Sequence, residues 1–136
     1  LPDRAEAGTQ NVCGICGLAA GLRFVQQQTP QRLLAHEVRQ RELLTSLLTD
    51  VPGVRLFTGE PQSGTLSLCA AQMDCETLAA RLAVKGVCVR AGLHCAPLAH
   101  ESAGTLETGT VRFSLSAFNT EQEIFRTADL LKEILA

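Results

Sequence analysis

The hydrophobic pattern of this chain changes its period at Val51-Pro52-Gly53, and that change restricts which folds it can adopt. Before the break, apolar residues recur at helical spacing and predict helices over residues 12–28 and 29–49. Thr29 followed by Pro30 has the form of a helix start, because proline fits the first helical position. After the break the apolar runs are short and alternate with polar residues, as strands do. The chain is therefore expected to be helical first and of mixed structure afterwards.

The second part of the sequence alternates strands with helices. Asp74 predicts a helix cap, and the helix that follows it ends at Gly86. Thr120 and Glu123 form a capping box ahead of a final helix. A polar loop of about 20 residues precedes the last strand, a length typical of functional or mobile segments. Strands are predicted over residues 54–58, 64–69, 87–90 and 110–114.

This order of elements predicts the fold class. Two N-terminal helices are followed by β-β-α-β-β-α, and consecutive strands joined by a hairpin indicate an α+β fold. We expect an antiparallel or mixed sheet with its helices on one face. The Gly/Ala-rich helix over residues 12–28 is expected to leave apolar surface uncovered and to self-associate.

Composition excludes several classes of function. The 136 residues are 46% hydrophobic, enough for one modest domain with a core. A formal net charge of -2, from 12 basic and 14 acidic residues, gives no basic stripe for nucleic acid and no polybasic membrane anchor. No targeting or membrane-spanning segment is visible. The six cysteines are not needed to staple so hydrophobic a chain, so reduced thiols and a cytoplasmic location are expected.

Residues 90–100 read RAGLHCAPLAH and combine a cysteine with histidines in a glycine-containing loop. A thiol reacts as its thiolate, and Cys95 in this polar loop is a better nucleophile candidate than a cysteine within an apolar run. His94 could favour that thiolate or could order the loop by a hydrogen bond. Arg90 could contact a substrate or form an ion pair that orders the loop. His100 and Cys95 fall short of the usual four zinc ligands, so we predict a structural role for His100 and no metal site.

Arg112 is the candidate for binding an anionic group. It lies between Val111 and Phe113 on an alternating strand, so its side chain is expected to point away from the apolar core. A planar guanidinium can hold a carboxylate by two parallel hydrogen bonds. Gly8 and Thr9 are a third group of candidate site residues, because a hydroxyl and unpaired amides ahead of a helix suit a phosphate group.

The residues around the other cysteines do not indicate a function for them. Cys13 and Cys16 form a CxxC pair, the spacing of redox sites and of half a zinc site. No second CxxC accompanies them and no strand leads into them, so packing by small residues is the preferred interpretation. The remaining cysteines are interpreted as small hydrophobes in or near the core: Cys69, Cys75 and Cys88.

Two separated motifs together carry a family resemblance. The Cys95 loop is followed by GTVRFS at residues 109–114 and FNT at 118–120, while residues 2–11 read PDRAEAGTQN ahead of the Gly/Ala-rich helix. This combination resembles the cysteine desulfurases and selenocysteine lyases, which belong to the class V aminotransferases and to the pyridoxal-phosphate enzymes of fold type I. The resemblance runs through almost the whole chain and implies the small C-terminal domain of such an enzyme.

The resemblance implies a role for each motif. Cys95 would take sulfur from L-cysteine as a persulfide while alanine is released, and Arg112 would hold the substrate carboxylate, with Arg90 and His94 as further candidates for substrate binding. Gly8 and Thr9 would reach across a homodimer to the phosphate of pyridoxal 5'-phosphate. A sulfur-acceptor protein is the implied partner.

The resemblance also implies that further parts are needed. Such enzymes use a Schiff-base lysine in a Ser-x-His-Lys setting, and the lysines here, Lys85 and Lys132, lie outside one. The chain is therefore interpreted as a C-terminal fragment that is inactive alone. Residues 1–52 would form a phosphate-contact loop and helical arm that lead from a large domain, and residues 53–136 would form the small domain.

Alternatives remain open at this point. The same fold could serve a class V aminotransferase or a selenocysteine lyase, or the chain could be a non-enzymatic domain that carries a persulfide. The family usually has proline and alanine where this sequence has Cys13 and Cys16, which is a departure from its pattern.

Overall fold

The computed structural model describes residues 8–60 and 62–136. Pro61 of the predicted turn and residues 2–7 of the N-terminal motif lie outside the described residues. The helices are α1 (Val12–Gln28), α2 (Pro30–Leu48), α3 (Cys75–Val84), α4 (Pro97–Ala103) and α5 (Glu121–Leu135). The strands are β1 (Val54–Phe57), β2 (Thr65–Ala70), β3 (Arg90–Gly92) and β4 (Thr110–Ser114).

The chain divides into two compact units, Leu1–Leu33 and Leu34–Ala136. The division falls inside α2. In the first unit, the Asn11 side chain caps α1 by accepting a hydrogen bond from the backbone nitrogen of Gly14 at 3.0 Å. None of the residues of α1 is buried. The expectation of uncovered apolar surface is thus confirmed for this helix, whose large exposed side chains are Val12, Ile15, Leu18, Leu22 and Val25.

The second unit is built on a four-stranded antiparallel sheet with the order β1-β2-β4-β3. Its core forms on one face, because side chains alternate along each strand and only one alternate set is apolar. Leu66 and Leu68 of β2 and Val111 and Phe113 of β4 are all buried there. The helices cover this face with Leu44, Leu48, Leu78, Leu82, Ile124, Ala128, Leu131 and Leu135. The predicted α+β class is confirmed, with α2, α3 and α5 on one face of the sheet.

The predicted strand at residues 87–90 is wrong in its bounds. The backbone nitrogen of Val87 donates to the Leu82 carbonyl at 2.9 Å, so this residue caps the end of α3 instead of pairing with a strand. Pairing with β4 begins at Arg90 and extends to Gly92. The β-branched residues were taken for the strand, but Val87 and Val89 pack against the core before the sheet begins.

The predicted polar loop before the last strand contains a helix, α4, that the sequence analysis missed. Pro97 lies at its start, and Gly104 ends it in a left-handed conformation with φ of 67°. A helix of 7 residues is too short to show a hydrophobic period. The element order is therefore β-β-α-β-α-β-α after the first two helices.

Helix starts follow the predicted capping residues. Asp74 accepts a hydrogen bond from the backbone nitrogen of Thr77 at 2.8 Å. The capping box is complete, since Thr120 accepts from the nitrogen of Glu123 and the Glu123 carboxylate accepts from that of Thr120. These bonds to the charged form lower the pKa of Asp74 and that of Glu123.

Candidate active site

The face of the sheet opposite the core carries the predicted anion-binding residue. Arg112 of β4 is paired in register with Ser67 of β2 and with Arg90 of β3. Residues directly opposite each other on antiparallel strands project from the same face. Because Val111 and Phe113 point into the core, these three side chains share the other face. The sequence-based orientation of Arg112 is thus confirmed.

Arg112 and Arg90 are directly opposite each other on neighbouring strands, and like charges at such positions are disfavoured. In the part of the chain that the structure describes, the ion pairs are Arg39–Glu121, Arg41–Glu42 and Lys85–Glu133, and neither of these two arginines takes part. The alternative of a loop-ordering ion pair at Arg90 therefore finds no partner there. The buried Nε of Arg112 also lacks a hydrogen-bond partner. Positive charge and an unpaired donor suit an anionic ligand at this position.

Cys95 lies in a tight turn directly after β3. The turn closes with a hydrogen bond from the backbone nitrogen of Ala96 to the carbonyl of Leu93 at 2.9 Å. His94 and Cys95, its central residues, have φ of 53° and 58°. Positive φ at both central positions is the pattern of a type I′ turn, which normally uses asparagine and glycine. Two side-chain-bearing residues in this conformation are strained, and the Cys95 side chain is exposed.

His94 turns back from this strained position toward the sheet. Its Nε2 lies 3.1 Å from Oγ1 of Thr110, the first residue of β4, and the two groups share a hydrogen bond. Its ring packs against that of His100, with 5.6 Å between ring centroids. Burial lowers the pKa of His94, and the charges of Arg112 and His100 lower it further. The buried Nδ1 of His94 has no hydrogen-bond partner.

The segment between β3 and β4 is fixed to its surroundings at several further points. His100 is buried, and its Nδ1 shares a hydrogen bond with Thr105 Oγ1 at 2.8 Å. This bears out its predicted structural role. Arg55 of β1 donates to the carbonyl of Ala103 at the end of α4, at 3.0 Å. The Arg55 guanidinium also lies over the Phe57 ring, 4.6 Å from its centroid. The segment that carries Cys95 is therefore an ordered part of the fold.

The sequence analysis missed Thr110 and Arg55 as residues that hold this site. Thr110 had a detectable signal, because it lies two positions before Arg112 on the same strand and so shares its face. Arg55 had no such signal, since its contact depends on α4, which the sequence did not reveal.

The predicted phosphate contact lies in the first unit and is described by itself. Gly8 has φ of 104°, and both Gly8 and Thr9 are exposed ahead of α1. Within residues 8–60 and 62–136, the Thr9 hydroxyl has no hydrogen-bond partner. A free hydroxyl and exposed backbone before a helix fit a phosphate group, because the first amides of a helix have no partners within it.

The other cysteines differ in their surroundings. Cys69 and Cys75 are half-buried, and their thiols donate to the carbonyls of Gly109 and Thr108 at 3.3 and 3.1 Å. Burial raises the pKa of Cys69. The interpretation of these two residues as near-core hydrophobes fits, whereas that of Cys88 is wrong because Cys88 is exposed. The CxxC residues of α1 are likewise exposed and form no disulfide, and nothing among residues 8–33 of their unit buries them.

The lysines do not contribute to the polar face. Lys85 follows α3 and pairs with Glu133 at 3.0 Å on the surface, and Lys132 lies on α5. No group of three or more potential metal ligands occurs in the described parts of the chain. No helix among those residues is long and apolar enough to span a membrane.

Comparison with known proteins gives a consistent result. The family model described as "Aminotransferase class-V" matches residues 1–126. A probable cysteine desulfurase of Methanothermobacter thermautotrophicus is 35% identical over an alignment of 138 residues, which covers 98% of this chain and 34% of that protein. A probable cysteine desulfurase of Mycolicibacterium paratuberculosis is 40% identical over 124 residues, covering 90% of this chain and 18% of that protein.

Solved structures show the same similarity. The apo cysteine desulfurase from Thermococcus onnurineus NA1 matches with a TM-score of 0.86 and 28% identity, over 98% of this chain and 34% of that one. The cysteine desulfurase CsdA from Escherichia coli, in an S-sulfonic acid form, matches with a TM-score of 0.82 and 28% identity, over 96% and 33%. The chain thus spans about a third or less of the length of these relatives.

Proposed function

Since this chain belongs to the class V aminotransferase family, we propose that it forms the C-terminal part of a cysteine desulfurase, which releases sulfur from L-cysteine and leaves L-alanine. The similarity to several cysteine desulfurases over nearly the whole chain supports this reaction within the family. The observation that carries the proposal is the unpaired Arg112 on the polar face of the sheet, close to the exposed Cys95 turn.

Arg112 would bind the α-carboxylate of the substrate. The guanidinium is half-buried, its Nε is unsatisfied, and none of the described carboxylates pairs with it. A bound carboxylate would satisfy that donor and separate the charge of Arg112 from that of Arg90. Arg90 and His94 border the same position and are proposed as further substrate contacts.

Cys95 would act as the nucleophile. Its thiolate would attack the sulfur of bound cysteine, so that an S–S bond forms while the C–S bond of the substrate breaks. The strained turn projects this side chain outward from the end of β3 and leaves it exposed. The resulting persulfide could therefore be reached by a sulfur-acceptor protein.

Bound pyridoxal 5'-phosphate would supply an electron sink for bond breaking at the substrate's α-carbon. Gly8 and Thr9 would bind its phosphate, and we propose that they do so for the partner subunit of a homodimer. Lys85 and Lys132 lie away from the polar face, so the covalent link to the cofactor is assigned to the remainder of the complete protein. The 136 residues alone are proposed to be inactive.

We further propose the organisation predicted from the sequence. Residues 1–52 would serve as the phosphate-contact loop and helical arm that join a large domain, and residues 53–136 as the small domain. A cytoplasmic location would agree with the free cysteines of the described residues.

The test uses the complete protein that contains this chain. Purified with pyridoxal phosphate and assayed with a thiol reductant, which reduces the persulfide, it should convert L-cysteine to L-alanine and sulfide, and Cys95→Ala should abolish sulfur release. Cys88→Ala is the matched control, because Cys88 is also exposed but lies outside the turn. Parallel assays with L-selenocysteine separate desulfurase from lyase. Unchanged sulfur release by the Cys95→Ala variant would contradict the assigned nucleophile.

A further inference from the structure

The Cys95 turn closes with a backbone hydrogen bond between Ala96 and Leu93, and the Ala96 carbonyl accepts from the amides of Ala99 and His100 in α4. These bonds hold the end of the turn but not its two central residues. A residue with a Cβ resists positive φ, so two such residues in succession need a further constraint. Cys95 is exposed. Of the two central residues, His94 is the one whose side chain makes described contacts outside the turn.

His94 connects the turn to two separate elements. Its Nε2 bonds Thr110 Oγ1 on β4, and its ring lies against His100 of α4. His100 is itself buried and held by Thr105, so it is a rigid surface for the His94 ring. Thr110 lies two residues before Arg112 on the same face of β4. The His94 side chain thus joins the turn to the strand that carries Arg112, the residue proposed to bind the substrate carboxylate.

We propose that His94 is a positioning residue that fixes the Cys95 turn relative to Arg112. This inference rests on the proposed function, in which Cys95 attacks a substrate whose carboxylate Arg112 holds. The contacts that hold the strained backbone of the turn also determine the distance between the Cys95 thiol and the Arg112 guanidinium. His94 need not touch the substrate for this role.

The surroundings of His94 make the arrangement sensitive to protonation. The charged and titratable groups that act on it are Arg112 of β4, Arg90 of β3 and His100 of α4. Burial and these charges oppose a positive charge on the imidazole, whereas the hydrogen bond with Thr110 favours it, and the net effect lowers the pKa of His94. Protonation is therefore less favourable in the closed turn, and acid should weaken the closure.

Hydrogen exchange at the Ala96 amide measures the closure of the turn directly, without cofactor or substrate. His94→Asn tolerates positive φ but cannot reach Thr110, and Thr110→Val removes the other partner of the bond. We expect each variant to lower protection of this amide about fivefold in the full chain, the change that one net hydrogen bond of about 1 kcal/mol supports. His36→Asn is the matched control, because His36 is also half-buried and bonded through Nε2, to the Asn119 carbonyl. Unchanged protection in both variants would overturn the proposal.

A second arm separates positioning from a merely structural role. His94→Gln places an amide nitrogen near the position of Nε2 but does not titrate, so it should keep protection at pH 7.5 and lack the decrease that we expect for the parent below pH 6.5. Protection that falls with pH equally in both proteins would contradict the proposal.

Kinetics of the complete enzyme provide the third arm. His94→Asn should lower kcat for L-cysteine by a larger factor than it raises KM, since Arg112 still holds the substrate. A raised KM with unchanged kcat would leave His94 with a substrate contact alone and overturn the inference. If Cys95→Ala retains activity, the proposed function fails, and that result is distinct from the exchange data on the turn.

Discussion

The two faces of the sheet use the same strands for opposite purposes. On one face Leu66, Leu68 and Val111 are fully buried beneath helices. On the other, Ser67 and Arg112 lie one residue away along the same strands, and the Arg112 Nε has no partner. The first face gains free energy from removing apolar surface from water, whereas the second keeps polar groups unsatisfied. A period of two therefore lets stability and chemistry vary independently on neighbouring residues.

The largest effect should follow from removing apolar volume on the core face. We expect Leu68→Ala to lower the free energy of unfolding by about 2–5 kcal/mol, because Leu68 is fully buried and the cavity would collapse only in part. Ser67→Ala, one residue away on the polar face, should change it by no more than about 0.5 kcal/mol. Urea unfolding of both variants measures the difference. Equal destabilisation by the two changes would contradict the separation of the faces.

A substitution of Arg112 on the polar face should lower activity and leave stability unchanged, the reverse of the effect expected for Leu68. In the complete enzyme, we expect Arg112→Gln to lower kcat/KM for L-cysteine about 10- to 100-fold, since a hydrogen bond to a charged group contributes about 1.5–3 kcal/mol. Stability should not fall measurably, because Arg112 takes part in none of the ion pairs of the described residues and its Nε has no hydrogen-bond partner there. Arg126→Gln is the control, an exposed arginine on α5 that bonds the Lys85 carbonyl. A large loss of stability without a change in kinetics would show that Arg112 serves the stability of the fold and not the reaction.

Strain on the polar face should be measurable at Cys95. We expect Cys95→Gly to stabilise the fold by about 1 kcal/mol, because glycine adopts positive φ without steric cost. Cys88→Gly is matched to it, since Cys88 is exposed but is not among the residues with positive φ. That control should be neutral or destabilised by about 0.5–1 kcal/mol from added chain entropy. Thermal unfolding of the two variants tests this, and a destabilised Cys95→Gly protein would argue against strain.

The smallest effect should be the pH dependence contributed by His94. Its pKa is lower in the folded chain than its ordinary value of 6.5, so the unfolded chain binds more protons just below that pH. The contribution of His94 is fully present above about pH 6.5 and decreases as pH falls toward the folded pKa. Urea midpoints at pH 7.5 and 5.5 should therefore differ more for the parent than for His94→Gln. Asp74 and Glu123 have lowered pKa values too, but theirs begin from 3.8 and 4.5 and act at more acidic pH.

Most of the fold could be predicted because its signals are local. The capping residues Asp74 and Thr120 identify helix starts by a hydrogen bond within a few residues, and both predictions are confirmed. The strand at Arg90 was misplaced because its bounds depend on pairing with β4, which local preference does not report. The short helix α4 was missed for a similar reason, since its anchor at Arg55 is distant in sequence.

The candidate site could be predicted in part. Alternation was enough to predict that Arg112 points away from the core, and the motif was enough to single out Cys95. The roles assigned to Cys95, Arg112, Arg90, His94, Gly8 and Thr9 stay predictions. The left-handed turn and the contact between His94 and Thr110 could not be anticipated, because neither histidine nor cysteine signals positive φ.

Gly92 and Thr110 are register partners at the edge of the sheet, and the chain that carries Cys95 leaves and returns between them. The pairing of these two residues fixes both ends of the segment. Residues added to an exposed part of it would raise the entropy cost of closing the segment only slightly, roughly 0.6 kcal/mol for each doubling of a flexible length. Insertions or deletions within it can change the reach of the thiol while the register of Arg112 is preserved. The fold thereby allows the distance from the Cys95 thiol to an acceptor and the binding of a substrate by Arg112 to evolve independently.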